Sequence, residues 1–149
     1  MYPVILAIHN IVRWVVVIVG VIAVVRALIG MYRKRDWGGA DRRIGVIYTS
    51  TMDIQLLLGL ILYVFLSPIT QSMFQNLSQA MSNPGMRFFG LEHALYMIVA
   101  VVLAHIGNAK TKSAAEPSAR HRAALIWFSL ALILILLGMP WMRPLLPGF

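Results

Sequence analysis

The sequence predicts an all-α integral-membrane protein, an up-down-up-down four-helix bundle with a short amphipathic helix on its outer surface. Of the 149 residues, 60% are hydrophobic and only 12% are charged, whereas a soluble domain carries about 25% charged residues. A chain this short cannot bury so much apolar surface in a fold that faces water. Four apolar runs also approach the ~20 residues that cross a bilayer as a helix. They cover residues 4–29, 44–66, 88–107 and 123–139.

This composition excludes a soluble enzyme, a DNA-binding domain and a disordered tail. Backbone groups in lipid must pair within their own segment, so each apolar run is expected to be helical. Short connections between the runs favour a single bundle domain over the whole chain, residues 1–149. The absence of cysteine also excludes disulfides, thiolate metal sites and a cysteine nucleophile.

Positive charge is concentrated in two connections. Residues 31–43 and 108–122 carry most of the 13 Lys and Arg side chains. Short connections rich in Lys and Arg stay in the cytoplasm, so both termini and the connection at residues 67–87 are predicted to lie outside. The formal net charge of +8 then reflects topology and attraction to anionic membrane lipid, not binding of nucleic acid.

The outer connection, residues 67–87, is too long for a plain turn. Apolar side chains recur in it at helical spacing among polar ones: Met73, Phe74, Leu77 and Met81. This pattern is typical of a short helix on the membrane surface, and the alternative is a solvated loop with scattered apolar residues. Ser82-Asn83-Pro84-Gly85 is expected to break the chain before the third span. Trp141 is interpreted as an interfacial anchor.

Two histidines at matching depth are the leading candidates for a functional site. Ionisable groups within lipid are costly and usually functional. The first and third spans run in the same direction, and His9 and His93 lie about 9 Å and 8 Å along them at 1.5 Å per residue. Two neutral imidazoles that project inward from facing helices suit the iron of a six-coordinate haem. The structural alternative for each is a hydrogen bond to a neighbouring carbonyl.

Nearby residues fit a haem, which is apolar in its body and acidic at its propionates. Arg13 shares a face with His9 at i+4, and Arg87 lies just outside the third span, so both are candidates to bind propionates. Small residues would let the flat ring approach the helices. They are Gly59 in the second span, and Ala100 and Ala104 in line with His93 in the third.

For three polar residues of the spans, the sequence leaves more than one interpretation open. Arg13 could instead pair with Asp53, because the two lie within about 5 Å of each other in depth. Glu92, about 100° around the helix from His93, could pair with Arg13, orient a ligand or carry a proton. Gln55 could hydrogen-bond a ring substituent, a quinone or another helix, and the last is the expected role.

A second pair of histidines lies near the cytoplasmic end, where His105 is close to the end of the third span and His121 precedes the fourth. Cations for propionates are near: Lys110, Lys112, Arg120 and Arg122. However, His105 is turned about 120° from His93, whereas stacked haems usually use histidines on one face. A second haem is therefore the less favoured interpretation, and His121 is then a solvated residue of a basic connection.

Four local strings resemble a known family. They are residues 6–14 (LAIHNIVRW), 53–63 (DIQLLLGLILY), 87–93 (RFFGLEH) and 138–141 (GMPW). In this order they extend over nearly the whole chain and resemble the small four-span bacterial membrane proteins labelled cytochrome b-like. The resemblance implies haem b and electron transfer in the bacterial inner membrane. It also implies His9 and His93 as iron ligands, with Arg13 and Glu92 as accompanying polar residues.

The leading hypothesis is therefore a membrane b-type cytochrome that relays electrons from a quinol to a redox partner protein or a larger complex. Two axial ligands leave no open position on the iron, so no catalysis by this chain itself is expected. The alternative is an accessory subunit of a respiratory or photosynthetic complex without its own cofactor. A metal or proton transporter built on His9, Glu92 and Met97 is weaker, since no span shows the interruption of a midplane ion site.

Overall fold

The computed structural model describes residues 1–143, which form helices joined by short connections, with no strand among them. Four helical segments are long and apolar enough to cross a membrane: Tyr2–Tyr32, Gly39–Leu66, Pro84–Ser113 and Pro117–Gly138. The prediction of an all-helical chain with four helices able to span a membrane is therefore confirmed. The tail after Arg143 lies outside the described residues.

Seven α-helices follow one another in the described part of the chain. They are α1 (Tyr2–Tyr32), α2 (Gly39–Ile61), α3 (Pro68–Gln75), α4 (Leu77–Ser82), α5 (Pro84–Arg87), α6 (His93–Ser113) and α7 (Pro117–Gly138). Two π-helical turns complete the second and third long segments, because Leu62–Leu66 extends α2 and Phe88–Glu92 leads from α5 into α6.

The long helices extend past most of the apolar limits that predicted them. The connections predicted at residues 31–43 and 108–122 are mostly helical, and only residues 33–38 and 114–116 are not. A helix needs no apolar side chains once it leaves the hydrocarbon, and basic residues there favour the headgroup region. At 1.5 Å per residue, the 31 residues of α1 extend about 46 Å, beyond the ~30 Å hydrocarbon core.

The four long helices pack in a ring, in which α1 contacts α2 and α7, and α6 contacts the same two helices. Tyr48 and Phe128 fill the centre, with edge-to-face rings 5.5 Å apart. Glycines permit this approach, since a Cβ on Gly20 would lie 2.9 Å from the Tyr48 ring and one on Gly107 would lie 2.7 Å from the Cβ of Trp127. Helices in lipid associate through such close packing at small residues.

The connection between the second and third long segments differs from the single amphipathic helix predicted there. Asn76 leaves the helical conformation, and its side chain accepts a hydrogen bond from the backbone N–H of Gln79 at 3.1 Å. This cap starts a new helix, so the segment is divided into α3 and α4. Met73 is buried, whereas Phe74 and Leu77 are exposed, so the apolar residues do not share one buried face.

The break predicted at residues 82–85 bends the chain without ending its helical path. The side chain of Asn83 accepts two backbone hydrogen bonds from α5, at 3.0 and 3.1 Å. Pro84 takes the first position of α5, where its missing N–H would have no helical partner anyway. The third long segment consequently starts at Pro84 instead of the predicted residue 88.

Replacing Gly107 with alanine is expected to lower the thermal stability of the protein. The new Cβ would lie 2.7 Å from the Cβ of Trp127, and neither atom can rotate away, so α6 and α7 would have to separate. Overpacking of this kind typically costs about 1–3 kcal/mol. Melting temperatures of wild type and variant in one detergent measure the effect.

Gly39→Ala is the matched control, because nothing lies within 4 Å of a Cβ at that position. Alanine there is expected to leave stability unchanged or slightly raised. Equal melting temperatures for the two variants would contradict the helix packing described above.

Candidate functional site

Two histidine rings meet near the start of α1 and the start of α6. The ring centroids of His9 and His93 are 6.4 Å apart, and their planes are inclined by 71°. The structure thus brings together the two residues that the sequence placed at one depth on different helices.

A backbone carbonyl at the end of α7 orients His93. Nδ1 of His93 lies 2.7 Å from the carbonyl oxygen of Gly138. A carbonyl can only accept, so Nδ1 carries the proton and Nε2 of the neutral ring is left as an acceptor. The Gly138 carbonyl is available because the last carbonyls of a helix have no partner within it. Metal-ligating histidines are commonly oriented by this kind of hydrogen bond.

Gln55 of α2 holds His9 of α1. Its side-chain nitrogen donates to the backbone oxygen of His9 at 3.1 Å and lies 3.2 Å from Nε2 of the ring. The expected role of Gln55, a hydrogen bond to another helix, is confirmed. The other ring nitrogen, Nδ1, is buried without a hydrogen-bond partner in the described residues. A Cβ on Gly59 would lie 3.3 Å from Cε1 of His9, so this glycine leaves space beside the ring.

A largely apolar cavity of about 360 Å³ adjoins both histidines. Its volume falls within the ~300–1,000 Å³ of small-molecule sites. Side chains from the four long helices line it, among them Leu6, Met52, Leu56, Met97 and Ile135. Gly59 also lines the cavity, whereas Ala100 and Ala104, which were expected to face the same ligand, lie in the packed core.

Arg13 brings a buried positive charge to this cavity. The residue is 6% exposed, and its Nε and Nη1 atoms have no hydrogen-bond partner among the described residues. Arg143 lines the same cavity, with its guanidinium 4.2 Å from the centroid of the Phe89 ring. Buried donors are unfavourable until an acceptor binds them. The cavity therefore suits a ligand with an apolar body and an acidic group.

Arg87 and Glu92, both predicted to serve a haem, bind each other instead. Nε of Arg87 lies 2.7 Å from Oε1 of Glu92, and both side chains are partly exposed. Glu92 is therefore not the partner of Arg13. Arg143 is the second cation at the cavity, and the sequence analysis missed it. The Gly-Met-Pro string before it signals where α7 ends but not where the chain turns next.

The alternative pairing of Arg13 with Asp53 is wrong. Oδ1 of Asp53 lies 2.8 Å from Nε2 of His105 on α6, and both side chains are half-exposed. The reason is rotation about the helix axis, because Asp53 and Gln55 are about 200° apart on α2. Gln55 faces α1, so Asp53 is turned away from it, and equal depth with Arg13 does not bring the two together.

His105 and His121 have different partners, so the structure does not join them as a second histidine pair. His121 is fully buried, with Nε2 3.2 Å from the backbone oxygen of Arg35 and its ring edge-to-face with Trp37 at 4.9 Å. Gly30 gives this ring its space, since a Cβ there would overlap it. The expectation that His121 is solvated is therefore wrong, because its ring packs between α1 and the connection that follows.

Within residues 1–143, no group of three or more histidine, aspartate or glutamate side chains is placed to hold a metal ion. Comparisons with family models, with curated proteins and with solved structures find no match for this chain. The functional conclusion consequently rests on the geometry and chemistry of the cavity.

Arg13→Met is expected to leave the melting temperature of the ligand-free protein unchanged or raised. The substitution keeps the volume of the side chain and removes a buried charge that has no carboxylate partner in the described residues. Thermal denaturation of the protein in detergent measures this effect.

The matched control is Arg26→Met. Arg26 lies 2.9 Å from the buried carboxylate of Asp41, so its removal is expected to lower stability by about 1–2 kcal/mol. A larger loss for Arg13→Met than for Arg26→Met would show that Arg13 stabilises the fold and is not reserved for a ligand.

Proposed function

We propose that this chain is a membrane b-type cytochrome that relays electrons between a quinol and a redox partner protein or larger complex. His9 and His93 would hold one haem b. The observation that carries the proposal is the pair of imidazole rings 6.4 Å apart beside a largely apolar cavity.

The distance between the rings fits two ligands of one iron. Metal–imidazole bonds are about 2.0–2.1 Å, so two rings that share an ion have centroids roughly 6 Å apart. His93 has an unprotonated Nε2. Nε2 of His9 lies 3.2 Å from the side-chain nitrogen of Gln55, so it would bind the iron only after release from Gln55, and the buried Nδ1 would do so only in the tautomer that protonates Nε2. A haem iron needs only two axial ligands from the protein, so a cluster of three side chains is not required.

The cations at the cavity fit the acidic side of the same group. Arg13 has unpaired buried donors, and Arg143 lines the same space. Propionates would accept charge-assisted hydrogen bonds from these guanidinium groups. Gly59 supports the proposal because a side chain there would fill the space beside His9.

When bound, a haem with two imidazole ligands supplies a one-electron redox centre without an open coordination position. The side chains and backbone of this protein would position the two imidazole ligands. The Gly138 carbonyl fixes the ring orientation of His93, and Gln55 ties His9 to α2. The walls of the cavity are largely apolar, and a low-polarity lining would strengthen each electrostatic contact there.

We further propose an up-down-up-down arrangement in the bacterial inner membrane, with both termini and α3–α5 on the outer side. Contacts between neighbouring helices support alternating directions, because residues early in one helix meet residues late in the next. Between α1 and α2 these contacts are His9 with Gly59, Gly20 with Tyr48 and Arg26 with Asp41. Between α6 and α7 they are Tyr96 with Gly138 and Gly107 with Trp127. The basic connections after α1 and α6 support a cytoplasmic location for those ends.

The purified protein is expected to contain one haem per chain and to show a b-type α band in its reduced-minus-oxidised spectrum. His9→Ala and His93→Ala each remove a ligand, so each should weaken binding of added haemin at least about tenfold. Titration of the haem-free protein followed by Soret absorbance measures the affinity, and a pyridine haemochrome assay gives the haem count.

His105→Ala is the control for these variants. His105 is half-exposed and bound to Asp53, away from the cavity, so this variant should bind haemin as wild type does. A preparation without Soret absorbance that also fails to bind haemin would overturn the cytochrome proposal. If such colourless protein co-migrated with a respiratory or photosynthetic complex, it would be an accessory subunit.

The proposed orientation predicts which of two single-cysteine variants reacts with a thiol reagent added outside the cell. The chain has no cysteine of its own, and both Ser78 in α4 and Ser118 at the start of α7 are exposed. A membrane-impermeant maleimide should label Ser78→Cys in intact cells and Ser118→Cys only after lysis. The reverse pattern would invert the proposed orientation.

A further inference from the structure

The pair formed by Asp53 and His105 lies on the outside of the bundle, within the membrane-spanning segments. Their side chains are 50% and 49% exposed, and Asp53 is halfway along the segment Gly39–Leu66. At that depth the exposed surface faces hydrocarbon. Ionisable residues in membrane helices almost always face a protein interior or a water-filled cavity. We therefore expect a protein surface from outside this bundle to pack over the pair.

The helices that carry the pair have more exposed surface than the other two. In an apolar stretch of each long segment, 17% of residues are buried in those containing α2 and α6, against 33% in those of α1 and α7. Large apolar side chains exposed beside the pair are Ile54, Leu57 and Val102. We call this surface, centred on Asp53 and His105, the α2–α6 face.

We propose that the α2–α6 face binds the same face of a second copy of this chain, in a dimer with twofold symmetry. The contact within one chain uses Oδ1 of Asp53 and Nε2 of His105. It leaves Oδ2 and Nδ1, for which the described residues offer no hydrogen bond, and these two atoms define what the face can bind.

The two remaining atoms are complementary to themselves. Low-polarity surroundings favour forms of the pair without net charge. Three such forms exist: a carboxylate with an imidazolium, and a carboxylic acid with either neutral tautomer of the ring. Each form leaves one hydrogen-bond donor and one acceptor on Oδ2 and Nδ1. A twofold axis places Asp53 of one copy against His105 of the other, and the reverse. The donor of each copy therefore meets the acceptor of the other copy.

A second copy satisfies this requirement better than lipid does. Acyl chains offer no hydrogen-bonding groups, whereas polar side chains that bond across an interface promote association of membrane helices. Because the matching pair is present in every copy of the chain, no other partner is needed. This inference does not depend on whether the cavity holds haem.

The absence of cysteine from the chain allows a cross-linking test without background. Val102 on α6 and Ile133 on α7 are each 51% exposed. They also lie at similar depth, because Gly107 packs against Trp127 and Gly138 against Tyr96. Val102→Cys therefore probes the α2–α6 face, and Ile133→Cys is the matched control on another surface.

In membranes treated with copper phenanthroline, Val102→Cys is expected to form a disulfide dimer at least about tenfold faster than Ile133→Cys, because only the former lies beside the proposed contact. Equal rates, or faster reaction of Ile133→Cys, would overturn the proposal. This comparison leaves the polar pair intact and does not depend on whether a disruptive variant folds.

The double variant Asp53→Leu with His105→Leu tests the polar contact itself. Removing both groups leaves neither one unpaired, and the dimer should weaken about tenfold or more, as loss of two interhelical hydrogen bonds in a membrane implies. Light-scattering mass in detergent at a series of protein concentrations gives the dissociation constant. A monomeric wild type, or a double variant that dimerises as tightly as wild type, would contradict the proposal.

Discussion

Close contact between helices at glycine and alanine is the interaction on which the rest of this structure depends. Where Gly107 meets Trp127 and Gly138 meets Tyr96, a single added carbon would push the helices apart. Surfaces that interlock in this way fix the register of one helix against the next. Register in turn decides which polar groups meet within the bundle. The Gly138 carbonyl reaches His93 because Tyr96, one turn further along α6, packs against the same glycine.

The polar groups at the two ends of α1 are satisfied to different degrees. Towards its C-terminal end, the carboxylate of Asp41 accepts hydrogen bonds from Arg26, Arg35 and the backbone N–H of Gly38. Towards its N-terminal end, buried atoms of His9, Arg13 and Gln55 have no hydrogen-bond partner among the described residues. A complete polar network rigidifies a fold, whereas unsatisfied buried groups in a native structure call for an explanation. The C-terminal end is not fully satisfied either, since Nδ1 of His121, beside Gly30, lacks a partner among the described residues, but the N-terminal end gathers several such atoms around one cavity.

Sequence alone predicted the features that depend on counting along one helix. Apolar runs gave the four long helices, and equal distance from the helix starts placed His9 beside His93. The sequence did not predict features that depend on the rotation of a helix about its axis or on the path of the chain after a helix ends. The alternative pairing of Asp53 with Arg13 rested on depth alone, whereas the structure shows that Gln55, on nearly the opposite side of α2, is the residue that faces α1. Arg143 was overlooked because its position depends on how the chain turns after α7, which no periodicity encodes.

The π-helical turn Phe88–Glu92 has a further consequence for how related chains could diverge. A π-turn accommodates an extra residue within one turn of a helix, so it changes the direction in which every later side chain of that helix projects. Met73 of α3 packs closely against Gly90 within this turn, which ties the outer segment to the direction of His93. Chains related to this one would have to keep the length of this turn to keep the imidazole in the cavity.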